Sequence, residues 1–405
     1  MDNFIDLHAH STLKLYYFPH IKNFKSKIPA GPFFNPLGFR TSYKILKKSD
    51  IKIMINAHYV IEKNFLKYGF KKPLFSTLKI TAYPIIKKIL SEDPFEALLN
   101  QLDLLEDEIK KIKYKKGEKK LKIIRSLNEL NSLGKNEIGI IHAIEGAHAL
   151  GEKKDEESRQ EFLKRIEERI KYLKKRGVLM IGISHFWDNP FMPQTDGTEI
   201  IAQKQKGRII PRRNDFAFKM KRAEWKYGDS NYFSIEFIKM LIENNILIDL
   251  VHTQEHARNE IYKIALKNNI PLVVSHVGLK HFFEHEYNLS DEEILNIHKT
   301  QGIIGLIFSK RWLTAPINRY KNKGGIKELI ENIKYIKKLT GDISIVGLGT
   351  DFDGFTTPFK DCYNHIGIKK LINAMEKEFD EKEIKNILYG NALRVIKKGL
   401  FPKNS

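Results

Sequence analysis

Short apolar runs rich in β-branched residues recur along the chain. They read FIDLHAH (4–10), IKIMINAH (51–58), IGIIHAIE (138–145), VLMIGISH (178–185), ILIDLVH (246–252), PLVVSH (271–276), GIIGLIFS (302–309) and ISIVGLGTD (343–351). Such near-continuous apolar character belongs to strands buried on both faces, as in parallel sheets. Between many of them the apolar positions return every three or four residues, at 156–177, 234–245, 253–269 and 290–302, which predicts amphipathic helices. Ser290 with Glu293 three residues on has the form of a capping box, and Gly177 and Gly302 stand where helices are expected to stop.

Eight strands alternating with helices predict one α/β domain over 1–405, a (β/α)8 TIM barrel with long βα-loop insertions near 11–50, 59–93 and 186–233. The competing architecture is a doubly wound open sheet. No Gly-rich phosphate loop follows an early strand, which counts against it.

Composition changes this picture little. The net charge of +21, from 70 basic and 49 acidic residues, admits a nucleic-acid or anionic partner. Most of the lysines are spread along helices and loops, and the stretch 204–222 reads as a local concentration of basic residues, so nucleic acid is disfavoured. That stretch reads either as a substrate-facing insertion or as a solvated loop. The lone Cys362 excludes an intrachain disulfide, no signal peptide is visible and no apolar run is long enough for a bilayer. A cytoplasmic protein without a membrane segment is therefore expected.

The chemistry lies at the strand ends. Histidine is 14 of 405 residues, yet it closes the first, second, fourth, fifth and sixth runs as His8 and His10, His58, His185, His252 and His276, with Glu145 and Asp351 closing two others. Alternate residues on a strand face one side, so His8 and His10 can point together into a barrel mouth. Imidazoles and carboxylates gathered there suit zinc or a related divalent ion. A core histidine is the simpler reading for His58 alone. His142 and His148 flank Glu145 and can support ligands, whereas His20, His256, His281, His298 and His365 carry no such signal.

In this order the motifs resemble the membrane (renal) dipeptidases, peptidase family M19 of the amidohydrolase superfamily. The matching segments are AIEGAHAL (143–150), GISHFWDNPF (182–191), LIDLVHT (247–253), PLVVSHVG (271–278), VGLGTDFDGF (346–355) and GNALRV (390–395). The resemblance implies two divalent metals, Zn2+ with Mn2+ as the alternative. His8, His10 and Glu145 would hold one, with Asp351 adjoining, and Glu145, His252 and His276 the other. A hydroxide between the metals would attack the amide of a dipeptide or small peptide-like substrate. Asp351 would carry the proton and His185 would polarise the carbonyl. His58, Tyr287 and Asn288 would contact the substrate, and a homodimer is the implied assembly.

Two departures stand out. The family's His-x-Asp opening is His8-Ala9-His10 here, and Tyr287 stands where the family has an Arg that grips the substrate carboxylate. A phenol cannot form that bidentate charged contact. Arg208, Arg212, Arg213, Lys310 and Arg311 are candidates to replace it. DLHAHST (6–12) also resembles the opening of polymerase-and-histidinol-phosphatase type phosphoesterases, and a TatD-like nuclease would share the barrel, so a metal-dependent phosphoesterase or nuclease is the alternative function. A binding protein that has lost catalysis is a third.

Overall fold

The computed structural model describes residues 3–18, 24, 31, 38–64, 83–195, 201–205, 208–212, 232–315 and 325–400. Its main sheet is built from β1 (Phe4–Ala9), β2 (Ile51–Tyr59), β3 (Lys120–Ile123), β4 (Glu137–Glu145), β5 (Val178–Gly182), β8 (Leu247–Asp249), β9 (Val273–Val277), β10 (Ile303–Ile307) and β11 (Val346–Gly349). All strands but β3 pair in parallel with their neighbours in chain order, and β1 pairs with β11, so the sheet closes into an eight-stranded barrel. Helices such as Arg159–Lys175, Ser234–Glu243, Glu255–Asn268 and Asp291–Lys299 run between the strands. This is the (β/α)8 architecture that the apolar runs predict.

The ninth strand, β3, has no counterpart in the sequence reading. It pairs with the N-terminal half of β4, from Lys120 opposite Glu137 to Ile123 opposite Ile140. Its KLKI pattern is short and only partly buried, so it lacks the apolar signature of a barrel strand.

Burial explains the rest. Ile5, Leu7, Ile53, Ile55, Ile141, Ala143, Leu179, Leu247, Val273 and Ile303 form one interior cluster, joined by Ala392, Val395 and Ile396 of the C-terminal helix Asn391–Leu400. The helix Arg159–Lys175 buries Phe162, Ile166, Ile170 and Leu173 and begins at a Ser158–Glu161 capping box. The Ser290–Glu293 box starts the helix Asp291–Lys299 as predicted. That helix ends differently from expectation: the left-handed residue is Gln301, with φ 53. Gly302 is needed instead for close approach, since a Cβ there would lie 2.3 Å from the Leu272 carbonyl oxygen.

Five strands stop short of their predicted ends: β1 ends at Ala9, β5 at Gly182, β8 at Asp249, β10 at Ile307 and β11 at Gly349, so His10, His185, His252 and Asp351 sit just beyond the strands. His252 and Asp351 have φ 64 and 51, a left-handed backbone that no strand provides.

The expected insertions fall after β1, β2 and β5. The first contains the helices Ser11–Tyr17 and Tyr43–Leu46. The third contains an antiparallel hairpin, β6 (Ile201–Gln205) and β7 (Arg208–Arg212), so part of the basic 204–222 stretch is a β-ribbon. Arg213 and most of the rest of that stretch lie outside the described residues, as does 65–82 in the second insertion. Among the described residues no helix is long and apolar enough to cross a membrane.

Candidate metal centre

Five imidazoles converge on one carboxylate at the C-terminal mouth of the barrel. Glu145 closes β4 and presents Oε1 to Nε2 of His8 (3.3 Å), His276 (3.5 Å) and His252 (3.6 Å). Its Oε2 faces Nε2 of His10 (3.3 Å) and His185 (3.6 Å). The Nε2 atoms of His8 and His10 are 3.0 Å apart, and Asp351 Oδ1 lies 3.3 Å from His10 Nε2. All seven side chains are buried.

Local geometry brings them there. Leu7 faces the barrel interior, so strict alternation would turn His8 outward. The ladder between β1 and β2 shifts register between Asp6 and Ala9, which lets the neighbouring residue also enter the mouth. The loop after β11 is zipped to the same strand end by bonds from Asp351 N to His8 O and from His10 N to Phe352 O, both 2.9 Å. Asp351, Asp353 and Phe355 all have left-handed φ, a strain of order 1–3 kcal/mol each that the surroundings must offset. Asp353 helps by accepting from Lys14 Nζ (2.7 Å), the amides of Arg40 and Thr41 (both 2.9 Å) and the Thr41 hydroxyl (2.8 Å).

Buried polar groups hold the ligand strands from behind. Ser275 Oγ lies 3.0 Å from Nδ1 of both His8 and His276. A hydroxyl oxygen has two lone pairs, so it can accept from both rings and leave both Nε2 atoms bare. Asp6 accepts from the amides of His8 (3.1 Å) and Thr350 (3.0 Å), the Thr350 hydroxyl (2.6 Å) and His365 Nε2 (2.7 Å). Asp249 accepts from the amides of Ser275 and Val251.

The electrostatics follow from this crowding. Burial opposes the charge on Glu145, but His185, His10 and His8 hold its carboxyl well below the ordinary range. Burial depresses His8, yet Glu145, Asp351 and Asp249 outweigh it and raise the ring to about 9. Burial and the neighbouring His185 lower His252 to about 4, and burial with His8 nearby lowers His276 far below its usual value.

This donor set fits a metal. Ligand atoms of His8, His10 and Asp351, of His8, Glu145 and His276, and of Glu145, His185 and His252 each lie within 4.8 Å of one another. Nitrogen and oxygen donors of this kind are the usual ligands of zinc and its neighbours. The Nδ1 atoms of His10 and His252 have no hydrogen-bond partner among the described residues.

The expected substrate residues sit differently. His58 is fully buried, with Nδ1 at 3.2 Å from Thr12 Oγ1 and Nε2 at 2.8 Å from His142 Nδ1. His142 continues to Glu106, which pairs with Arg125 and Arg176. Burial and the adjacent His142 drive His58 well below its usual pKa. Asn288 is likewise fully buried: its amide donates to the carbonyls of Phe283 and Trp312 and its oxygen accepts from Gly278 N. Tyr287 donates its hydroxyl to His276 O at 2.7 Å and packs its ring against Trp312 and His252. Lys310 lies 3.5 Å from Glu328.

Sequence reasoning missed two supporting side chains. Glu62, three residues beyond β2, accepts from His185 Nδ1 and Phe186 N, both at 3.1 Å, and from the Tyr59 hydroxyl. His185 and His148 beside it help hold its carboxyl down at about 2 against the penalty of burial. His365 reaches Asp6 from a distant 3-10 turn. Nothing in the local sequence around either residue announces these contacts.

A model of the membrane dipeptidases, peptidase family M19, matches residues 231–402. Over these residues the chain is similar to the membrane dipeptidases. The matched part holds His252, His276, Tyr287, Asn288 and Asp351, and the barrel joins to it His8, His10, Glu145 and His185 from the other half. Over 164 residues the chain is 28% identical to an uncharacterised Klebsiella pneumoniae protein from the pqqA 5′ region, covering 40% of this chain and 58% of that protein. Over 163 residues it is 24% identical to an uncharacterised dipeptidase of Schizosaccharomyces pombe, covering 40% of this chain and 38% of that protein. The chain thus spans less than two thirds of the length of either relative. A metallopeptidase from Rhodobacter sphaeroides, solved with a phosphinate mimic of the dipeptide L-Ala-D-Ala, superposes with a TM-score of 0.67 at 16% identity, covering 98% of this chain and 99% of that one. At that identity the likeness is one of fold.

Proposed function

We propose that this protein is a binuclear metal-dependent hydrolase that cleaves the amide bond of a dipeptide or small peptide-like substrate. The observation that carries the proposal is the position of Glu145, whose two oxygens face two different sets of imidazoles. A carboxylate so placed can bridge two cations, one on each oxygen. His8, His10, His252, His276 and Asp351 would complete the two sites, and zinc or manganese suits their nitrogen and oxygen atoms. When bound, such a pair supplies Lewis acidity and a water of lowered pKa.

The chain's own groups do the rest. Asp351, held 3.3 Å from His10 in a loop with left-handed backbone, would take a proton from the attacking water at a carboxylate oxygen and deliver it to the leaving nitrogen. The rigid strand ends fix these groups before substrate arrives, which reduces the reorganisation needed for reaction. The dipeptide mimic held by the Rhodobacter sphaeroides neighbour supports the same substrate class here.

Tyr287 shapes the substrate reading. Burial keeps its phenol neutral and its hydroxyl is committed to a backbone carbonyl, so it offers no positive charge to a terminal carboxylate. Substrates whose binding depends less on that carboxylate are therefore favoured over free dipeptides held by a guanidinium.

The test is a panel assay of zinc- or manganese-loaded protein on dipeptides, N-acylated and C-amidated dipeptides, p-nitrophenyl phosphate and single-stranded DNA. Amide cleavage is expected. Phosphate release or DNA cleavage without it would overturn the proposal in favour of the phosphoesterase or nuclease alternative.

A further inference from the structure

His8, His10 and Asp351, whose ligand atoms lie within 4.8 Å of one another, come from the two strands that close the barrel. That seam is thin. Among the described residues β1 registers with β11 only at Asp6 opposite Leu348, with one bridge beyond it from Ala9 to Phe352. β10 and β11, by contrast, pair from Ile304 opposite Val346 to Ile307 opposite Gly349.

Side chains take over where the ladder stops. Asp6 is fully buried at the seam and accepts from both edges of it. Its Oδ1 takes the amides of His8 (3.1 Å) and Thr350 (3.0 Å), and its Oδ2 takes the Thr350 hydroxyl (2.6 Å). Thr350 directly precedes Asp351, so one carboxylate ties a ligand on β1 to the start of the loop that carries Asp351.

The fourth donor is His365, whose Nε2 lies 2.7 Å from Asp6 Oδ2. It comes from the 3-10 turn His365–Gly367, which Asn364 caps by accepting from Ile366 N and Gly367 N. The buried ring lies against both sides of the seam, with centroids 5.8 Å from Phe4 on β1 and 5.2 Å from Phe352 beside Asp351. The Phe352 carbonyl in turn accepts from His10 N at 2.9 Å. A buried carboxylate is held firmly only while its donors are present, because charge-assisted bonds are strong and an unpaired buried acceptor is costly.

We infer that His365 is a positioning residue of the metal centre: by holding Asp6 against both edges of the seam it sets the approach of His8 and His10 to Asp351. The inference rests on the reading of the cluster as a metal centre and is independent of the substrate.

Two substitutions separate the bond from the packing. His365→Gln keeps an amide N–H within reach of Asp6 and loses the ring. His365→Phe keeps a ring between Phe4 and Phe352 and loses the donor. The full-length proteins would be stripped with chelator and titrated with Co2+, whose visible absorption reports ligand type and geometry without any turnover. The unfolding midpoint of each in denaturant would be recorded alongside. His365→Phe is expected to weaken one cobalt site by about 10–100-fold and to change its spectrum, as loss of a supporting partner does at other metal sites. His365→Gln is expected to bind cobalt nearly as tightly as wild type. If His365→Phe does not fold, His365→Asn, whose amide is too short to reach Asp6, takes its place with the same expectation. Wild-type cobalt affinity and spectrum in His365→Phe, even with a lowered unfolding midpoint, would make His365 a core residue and overturn the inference. Equal losses in both variants would also overturn it, by assigning the effect to the ring. Wild-type protein that binds no cobalt would instead overturn the metal reading on which the inference rests.

Discussion

Gly354 packs so tightly against Asp351 that a Cβ at position 354 would stand 1.8 Å from the Asp351 carboxylate oxygen Oδ1. The glycine leaves room for the carboxylate that is proposed to carry the proton. Gly354→Ala should push the carboxylate away from His10 and lower turnover on the order of 10²-fold or more, because reacting groups tolerate little misplacement. Asp351→Asn should give a loss of similar size while metal is retained. Steady-state kinetics with metal analysis on both variants checks this, and near-wild-type turnover in Asp351→Asn would remove that residue from the mechanism.

His10 stands where the family has an acid, yet its Nε2 reaches both Glu145 and Asp351. His10→Ala is expected to lower metal content and hydrolysis together and to leave the circular dichroism spectrum unchanged. Full metal occupancy with unaltered turnover would refute its assignment as a ligand.

Ser275 serves two rings with one hydroxyl. Ser275→Ala removes the acceptor from Nδ1 of both His8 and His276 while adding no bulk. Metal affinity should fall by about 10–100-fold, as it does when outer-shell partners are lost elsewhere. Competition titration against a chromophoric chelator measures it, and an unchanged affinity would show that the rings are held by packing alone.

Away from the centre, Arg258 and Glu293 form a fully buried pair, with Arg258 also reaching the carbonyls of Thr253 and Glu286 and Glu293 also capping its helix. Glu293→Ala leaves a buried guanidinium without its carboxylate. Destabilisation of about 3–5 kcal/mol is expected by denaturant unfolding. A loss below about 1 kcal/mol would mean that water reaches the pair.

Much of this was legible in the sequence for one reason. Strands buried on both faces are written almost wholly in apolar residues, so a histidine or acid at the end of such a run is conspicuous. His8, His10, Glu145, His252, His276 and Asp351 stood out in that way, and the barrel brings them together. What was not legible depends on approach between residues far apart in the chain. Glu62 meets His185 across 123 positions and His365 meets Asp6 across 359, and neither has a local pattern. The turns that aim His252 and Asp351 inward were hidden too, because positive φ at a non-glycine residue leaves no mark in composition. β3 escaped because alternating lysines disguise a short edge strand.

The central claim is that the barrel mouth is built to hold metal. Its most direct test is the divalent metal content of purified full-length protein, measured by plasma mass spectrometry after equilibrium dialysis against trace zinc at neutral pH. About two ions per chain are predicted, one for each oxygen of the Glu145 carboxylate. Protein that retains only trace metal under these conditions would contradict the account.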